Sequence, residues 1–192
     1  MATRIKHNET NCFYFVTFTC YKWLPLIDQS NLYNYLPKWA KNLAKKGCEI
    51  CGYVAMPNHI HLLVFIHNQS GGLNKVMGEA KRFMSYEIVK RLKLNQKFQL
   101  INYLSKAVSE NDKLKGQKHL VFKSSFDAKT IRGNKAINSV LDYIHYNPVS
   151  GKWNLVEGYI DYPYSSAAYY ENRTQKILKI KDYREILKVF CE

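Results

Sequence analysis

The chain has 192 residues, of which 46% are hydrophobic and 23% are charged, as in a folded globular protein. This length supports one well-packed domain without disulfides or structural metal, so we expect a single domain over residues 1–192, with 171–192 as a C-terminal extension. No apolar run could cross a bilayer and the first residues lack a signal-peptide core, which predicts a cytoplasmic protein without a membrane partner.

The charge predicts a polyanionic partner. Lysine and arginine number 29 against 15 acidic residues, a formal net charge of +14. The alternative is a generally basic surface, but no basic tail accounts for the surplus, which must be spread over the folded body. Nucleic acid is therefore the favoured partner, and a cytoplasmic protein of this kind would associate with the nucleoid when bound to DNA.

The cysteines are predicted to be reduced thiols. There are five, Cys12, Cys20, Cys48, Cys51 and Cys191, and an intracellular chain seldom forms disulfides. The Cys48-Glu-Ile-Cys51 segment resembles half of a zinc knuckle, but no second pair completes it. Core packing is the better interpretation.

The first half of the chain predicts a strand, a helix and a hairpin. Residues 11–20 are aromatic and β-branched, which favours a buried strand. Apolar residues then recur at helical spacing up to Gly47, although Pro37 lies inside that pattern and predicts a kink or a late start. Residues 48–56 and 59–66 follow as strands, and the Pro57-Asn58 turn between them predicts an antiparallel hairpin.

The second half is predicted to be mainly helical. Residues 73–93 carry a regular apolar side, whereas residues 94–118 give only a weak indication of a helix around 100–109. A short strand at 119–122, a helix at 134–147 that Pro148 ends, an irregular stretch at 153–170 and a final helix within 177–190 complete the series. This order predicts an α+β fold, a ferredoxin-like antiparallel sheet with helices packed on it.

Two histidines in the second hairpin strand suggest a metal site. Side chains two residues apart in a strand share one face, so His59 and His61 project together while Ile60, Leu62 and Val64 pack into the core. Two neutral imidazoles on a rigid strand supply most of a divalent-metal site. The same spacing also occurs by chance on half-buried strands.

The helix at 134–147 supplies a candidate nucleophile and a third ligand. Tyr143 and Asn147 are four residues apart and so lie on one helix face, and the Asn147 amide oxygen suits a cation beside two histidines. Such a set fits phosphodiester transfer: a metal ion polarises the phosphate while the tyrosine oxygen attacks phosphorus. Tyr146 is a competing phenol, rotated by about 60° on the helical wheel.

Several motifs, taken together, resemble one family in the same order. They are Pro57-Asn58-His59-Ile60-His61, Lys81-Arg82-Phe83, Asp142-Tyr143-Ile144, Asn147-Pro148-Val149 and Tyr162-Pro163-Tyr164-Ser165-Ser166. The chain resembles the single-tyrosine transposases of the HUH endonuclease superfamily, most closely the REP-associated tyrosine transposases. The match runs from about residue 13 to residue 169.

The resemblance implies a fold, a cofactor and a reaction. It implies the HUH endonuclease fold, with His59, His61 and Asn147 as ligands of Mg²⁺ or Mn²⁺ and Tyr143 as the nucleophile. It implies cleavage of single-stranded DNA next to a hairpin, which leaves a 5′-phosphotyrosine and a free 3′-OH. It leaves two oligomeric states open for this chain, a monomer, which the REP-associated branch resembles, or a homodimer that exchanges the tyrosine helix, as in some relatives.

Basic residues are candidates for DNA contact. Lys81 and Arg82 match the family's helix, and Lys129 and Arg132 precede the tyrosine helix. The alternative for the basic helix is a solvated face. The chain departs from the family by lacking a tryptophan before the tyrosine helix, where Phe122 and Phe126 stand, and by an apparent insertion at 94–118.

Two other functions compete with transposition. One is a non-catalytic nucleic-acid-binding module or regulator of ferredoxin-like shape that uses the same basic face. The other is a metal-dependent phosphodiesterase that uses water and leaves Tyr143 as a packing residue.

Overall fold

A computed structural model describes residues 7, 9–172, 174 and 177–190. The strands in this part of the chain are β1 (Cys12–Thr19), β2 (Cys48–Ala55), β3 (His59–Ile66) and β4 (Asp127–Ile131). The α-helices are α1 (Leu26–Gln29), α2 (Leu36–Ala44), α3 (Leu73–Leu94), α4 (Phe98–Lys106), α5 (Glu110–Leu114), α6 (Asn134–Tyr146), α7 (Ala167–Asn172) and α8 (Tyr183–Phe190).

The strands form one antiparallel sheet in the order β2-β3-β1-β4. The Pro57-Asn58 turn closes the β2–β3 hairpin, where the Met56 N–H donates to the His59 carbonyl at 2.9 Å. Strand β3 is paired on both sides, so the residues that it carries have little freedom to move. The predicted α+β fold with an antiparallel sheet is confirmed.

Both faces of the sheet are covered. Ile60, Leu62 and Val64 of β3 pack in one cluster with α2 and α3, as the apolar pattern of those helices requires. Leu63 and Phe65 belong to a second cluster with residues of α6 and α8. Every residue of β3 is therefore buried, and the side chains that alternate with the first cluster face α6.

Several local predictions need correction. Residues 94–118 contain two helices, α4 and α5, rather than one. The predicted strand at 119–122 is reduced to an isolated bridge between Cys20 and Phe122, and the edge strand is β4 instead. Of the two outcomes predicted for Pro37, the late start is confirmed and the kink is absent. Helix α2 begins at Leu36 and Pro37 occupies its first turn, where a missing N–H costs nothing.

Cys48 and Cys51 are buried, which confirms the interpretation as core residues. Burial raises the pKa of both thiols. The four described cysteines are free, and Cys191 lies outside the described residues, as do residues 1–6. No described helix is long and apolar enough to cross a membrane.

Helix α8 packs against α6. Its Tyr183 hydroxyl donates to the Asn138 side-chain oxygen of α6 at 2.7 Å, and its Ile186 is buried in the second cluster. The final helix predicted within residues 177–190 is confirmed, and it begins at Tyr183.

Candidate active site

His59 and His61 lie side by side on the α6 face of β3. They are 5% and 6% exposed, and their ring centroids are 4.6 Å apart at an interplanar angle of 73°. The alternation that buries Ile60 and Leu62 on the other face brings both imidazoles to this one.

The tautomer of His59 follows from its neighbour in the turn. The Asn58 side-chain N–H donates to the Trp23 carbonyl at 3.1 Å, so the amide oxygen of Asn58 is the atom that faces His59. That oxygen lies 2.6 Å from His59 Nδ1, which must therefore carry the proton and donate it. The lone pair of His59 is then on Nε2, the nitrogen that a metal ion would use.

His61 is oriented from the adjacent strand. Thr17, its partner in the β1–β3 register, places its hydroxyl oxygen 2.8 Å from His61 Nδ1. Burial lowers the pKa of His59 to about 4. Burial, together with the neighbouring His59, lowers the pKa of His61 to about 3. Both imidazoles are therefore neutral at pH 7, the state that binds metal ions.

Asn147 completes a donor set that fits a divalent cation. Its side-chain oxygen is 3.2 Å from His59 Nε2, so an acceptor oxygen faces the bare lone pair of an imidazole. Two ligands at right angles on an ion with bonds of about 2.0–2.1 Å are separated by roughly 3 Å, close to this spacing. Among the described residues, no three His, Cys, Asp or Glu side chains cluster so that they could hold a metal ion. The oxygen that faces His59 Nε2 here is that of an amide, Asn147.

Tyr143 lies next to the histidines and is open to solvent. It is 54% exposed, and its ring centroid is 5.2 Å from that of His61 and 5.7 Å from that of Phe15. Tyr146, the competing phenol, instead packs against Tyr159, with ring centroids 4.3 Å apart. Of these two tyrosines, Tyr143 is the one whose ring contacts a histidine of the pair.

Helix α6 is fixed to the sheet by buried polar contacts. His145, two residues after Tyr143, places Nε2 2.8 Å from the Ser166 hydroxyl oxygen, and burial lowers the pKa of His145 to about 4. The same oxygen accepts the Tyr53 N–H of β2 at 2.9 Å. The Tyr162 hydroxyl donates to the Ala55 carbonyl at 2.9 Å. The segment 162–166 therefore joins the tyrosine helix to β2.

Comparison with known proteins gives the family. A family model described as "Transposase IS200 like" matches residues 9–112, which are 104 of the 192 residues. The chain belongs to the IS200-like transposase family. The matched segment includes His59 and His61 and ends before Tyr143 and Asn147. No curated protein matches this transposase.

A solved structure has the same fold. It is described as the structure of a REP-associated tyrosine transposase bound to a REP hairpin. The superposition has a TM-score of 0.63 at 17% identity and covers 95% of this transposase and 93% of that chain. It therefore confirms the fold that the motifs implied, over nearly the whole chain and not only over the segment that the family model matches.

The predicted basic residues of the transposase are in different settings. Lys81 donates to the backbone carbonyls of Lys123, Ser124 and Ser125 at 2.5, 3.0 and 3.2 Å, which ties α3 to the segment before β4. Arg82 is exposed, but its helix packs on the sheet face opposite the histidines. A phosphate contact by Lys81 would have to replace these carbonyls.

Lys129 and Arg132 lie nearer the histidine face. Lys129 is exposed on β4 and pairs in register with Phe15, whose ring stacks on His61 at 5.3 Å. Arg132 follows the same strand and forms an exposed ion pair with Glu9. Of the four candidates, Lys129 is the one whose cross-strand partner contacts the histidine pair.

Sequence reasoning missed several residues of the site. Phe15 and Thr17 of β1 contact His61, and Trp23 and Trp153 contact His59. The alternation of β1 indicated that Phe15 and Thr17 share a face. Only the pairing of β1 with β3 shows that this face is the one that carries the histidines.

Proposed function

We propose that this transposase cleaves and rejoins single-stranded DNA through a covalent 5′-phosphotyrosine on Tyr143, with a divalent metal ion held by His59, His61 and Asn147. The observation that carries the proposal is the convergence of these four side chains. A strand-borne imidazole pair, a helix-borne amide oxygen and an exposed phenol, distant in sequence, meet at one place.

The protein groups divide the chemistry between them. Neutral His59 and His61 and the Asn147 oxygen would hold Mg²⁺ or Mn²⁺, which when bound neutralises charge on the scissile phosphate. The exposed Tyr143 hydroxyl releases its proton to solvent and its oxygen forms a bond to phosphorus, while the bond from phosphorus to the 3′ oxygen breaks. The 3′ oxygen takes up a proton from solvent and leaves as a free 3′-OH. Rejoining reverses these steps with a 3′-OH.

The proposed substrate is a single strand next to a DNA hairpin. A net charge of +14 favours a polyanion. The structural neighbour is described as bound to a REP hairpin, and its superposition covers 95% of this chain. Tyr143 is open to solvent, so a DNA strand can reach the phenol.

The test is formation of a covalent adduct. The transposase is incubated with Mg²⁺ or Mn²⁺ and a labelled hairpin oligonucleotide that carries single-stranded flanks, then denatured. Adduct is expected with the wild type and with Tyr146→Phe, which loses a phenol that packs against Tyr159. Tyr143→Phe is expected to form none and to retain DNA binding, because it lacks only the attacking oxygen.

The outcomes separate the competing functions. Cleavage by Tyr143→Phe would mean that water is the nucleophile and would replace the proposal with a phosphodiesterase. Absence of cleavage by the wild type, with hairpin binding intact, would leave a nucleic-acid-binding module.

The metal ligands are tested by calorimetry with Mn²⁺. His59→Ala and His61→Ala are each expected to lose Mn²⁺ binding, because each removes one of the nitrogen donors. His145→Gln is a suitable control, since this buried imidazole bonds to Ser166 rather than to the ligand set. Wild-type Mn²⁺ affinity in both alanine variants would reject the ligand assignment.

A further inference from the structure

Two tryptophans border the candidate metal site. The Trp23 ring centroid lies 5.7 Å from that of His59 at an interplanar angle of 80°, and the Trp153 ring centroid lies 6.2 Å away at 49°. The third tryptophan of the chain, Trp39, is 2% exposed in the core under α3. The other two tryptophans therefore meet at the same histidine, Trp23 exposed and Trp153 half-buried at the edge of the second cluster.

The backbone at Trp23 adopts an unfavourable conformation, and the ring is open to solvent. Lys22 and Trp23 have φ values of +48° and +58°, in the left-handed region that L-residues rarely adopt. The turn is held by the Trp23 N–H donating to the Cys20 carbonyl at 3.0 Å and by the Asn58 amide donating to the Trp23 carbonyl. The ring is 52% exposed.

Each of these two rings has a lysine over it. Lys123 Nζ is 4.7 Å from the centroid of Trp23, and Lys152 Nζ is 5.6 Å from that of Trp153. Trp23 is exposed and Trp153 is half-buried. A solvent-accessible aromatic ring paired with an ammonium group matches the two parts of an unpaired nucleotide, since the base stacks and the phosphate is anionic. Because a lysine side chain is long, its ammonium group can move from the ring to a neighbouring phosphate when a base stacks on that ring.

We propose that Trp23 and Trp153 stack unpaired bases of the DNA strand next to the scissile phosphate, while Lys123 and Lys152 contact its backbone. The inference rests on the proposed function, because it assumes that a single strand passes the histidine pair. Two observations identify single-stranded DNA as the molecule that binds here. The two lysines are complementary in charge to its phosphates, and both tryptophan rings contact His59.

The first test measures binding of labelled dT12 to the full chain in the Tyr143→Phe background with Mg²⁺ present. Trp23→Ala and Trp153→Ala are each expected to weaken binding by about 5- to 150-fold, the range for loss of one stacked base. Trp23→Phe and Trp153→Phe should retain most of the affinity, because phenylalanine still stacks. Tyr86→Ala removes a ring that is 63% exposed on α3 and should have no effect.

An abasic strand of the same length separates stacking from a general effect on the site. It offers phosphates without bases, so the parent and both tryptophan-to-alanine variants should bind it with equal affinity. Equal losses with dT12 and with the abasic strand would overturn the inference.

Tryptophan fluorescence gives a second readout that a purely structural role would not change. Stacking of dT12 should quench the emission of the parent. The Trp23→Phe/Trp153→Phe double variant keeps only buried Trp39 and should show no quenching. Quenching of equal size in the double variant would place the bases elsewhere and overturn the inference.

Failure of this inference is distinguishable from failure of the proposed function. If the wild type forms the adduct but the tryptophan-to-alanine variants bind dT12 like the parent, stacking by these rings is refuted and the transposase chemistry stands. If the wild type forms no adduct while base-dependent binding still requires Trp23 and Trp153, the stacking sites stand and the catalytic proposal falls.

Discussion

Asn58 shows how much of the candidate site depends on one amide. Its N–H donor bonds the Trp23 carbonyl, and its oxygen accepts the proton of His59 Nδ1. The two bonds fix the amide in one orientation and thereby keep the His59 Nε2 lone pair directed at Asn147. Partners of this kind, which hold a metal-binding imidazole by its other nitrogen, strongly influence metal affinity.

We expect Asn58→Ala to weaken Mn²⁺ binding by about 10- to 100-fold although all three proposed ligands remain, because His59 loses the partner that fixes its tautomer. Asn58→Asp keeps an acceptor for the Nδ1 proton but loses the donor to the Trp23 carbonyl, so it should bind Mn²⁺ more tightly than Asn58→Ala and less tightly than the wild type. Calorimetry measures both. Asn95→Ala, at the exposed end of α3, is the control, and equal affinities for Asn58→Ala and this control would refute the role.

Also at the scale of single residues, local periodicity was enough to predict which side chains share a face of their strand or helix. The strand pair is His59 and His61, and the helix pair is Tyr143 and Asn147. Strand alternation and the helical repeat depend only on neighbouring residues, and the structure follows both. The contacts of Thr17 with His61 and of Trp23 with His59 depend on how distant segments pair. A single sequence contains no local signal for such pairing, which is why these residues were missed.

Among the elements, helix α6 is positioned by packing closely against strand β2. The β2–β3 register shifts between Ile50 and Gly52, and a Cβ at Gly52 would overlap Leu141 of α6. Glycine at this place lets the helix that carries Tyr143 rest directly on the strand.

We expect Gly52→Ala to lower the free energy of unfolding by about 1–3 kcal/mol, because the added methyl group must displace buried Leu141. Gly78→Ala is the matched control: it lies exposed in α3 with open space at its Cβ and should raise stability by about 0.5–1 kcal/mol. Urea unfolding measures both. In a Leu141→Val background, Gly52→Ala should lower the free energy of unfolding by less than it does in the wild type. An equal loss in both backgrounds would mean that the alanine does not clash with Leu141.

The elements that were predicted well differ physically from those that were not. Strands β1 and β3 and helix α3 carry long apolar patterns, because each is buried along most of its length on at least one side. Strand β4 has five residues, lies at the sheet edge and alternates exposed side chains with partly buried ones. It forms a strand because it pairs with β1, whereas its own sequence predicts a strand only weakly.

At the scale of the whole molecule, the two faces of the sheet have different roles. The histidines, Tyr143 and the two outer tryptophans are on the α6 side, whereas the basic helix α3 is on the other side. The surplus of charge is therefore not confined to the candidate active site. A single strand at the histidines is expected to contact lysines on the α6 side only.

The salt dependence of DNA binding distinguishes lysines on the α6 side from lysines on α3. Each phosphate that a protein cation neutralises on a single strand contributes about 0.7 to the slope of log affinity against log salt. Lys129→Ala should weaken dT12 binding and reduce this slope by about 0.7, because Lys129 lies across from Phe15 at the histidine pair. Lys90→Ala, exposed on α3, should change neither. Anisotropy titrations in the Tyr143→Phe background measure both slopes, and an equal reduction for the two variants would show that the strand does not run along the α6 face.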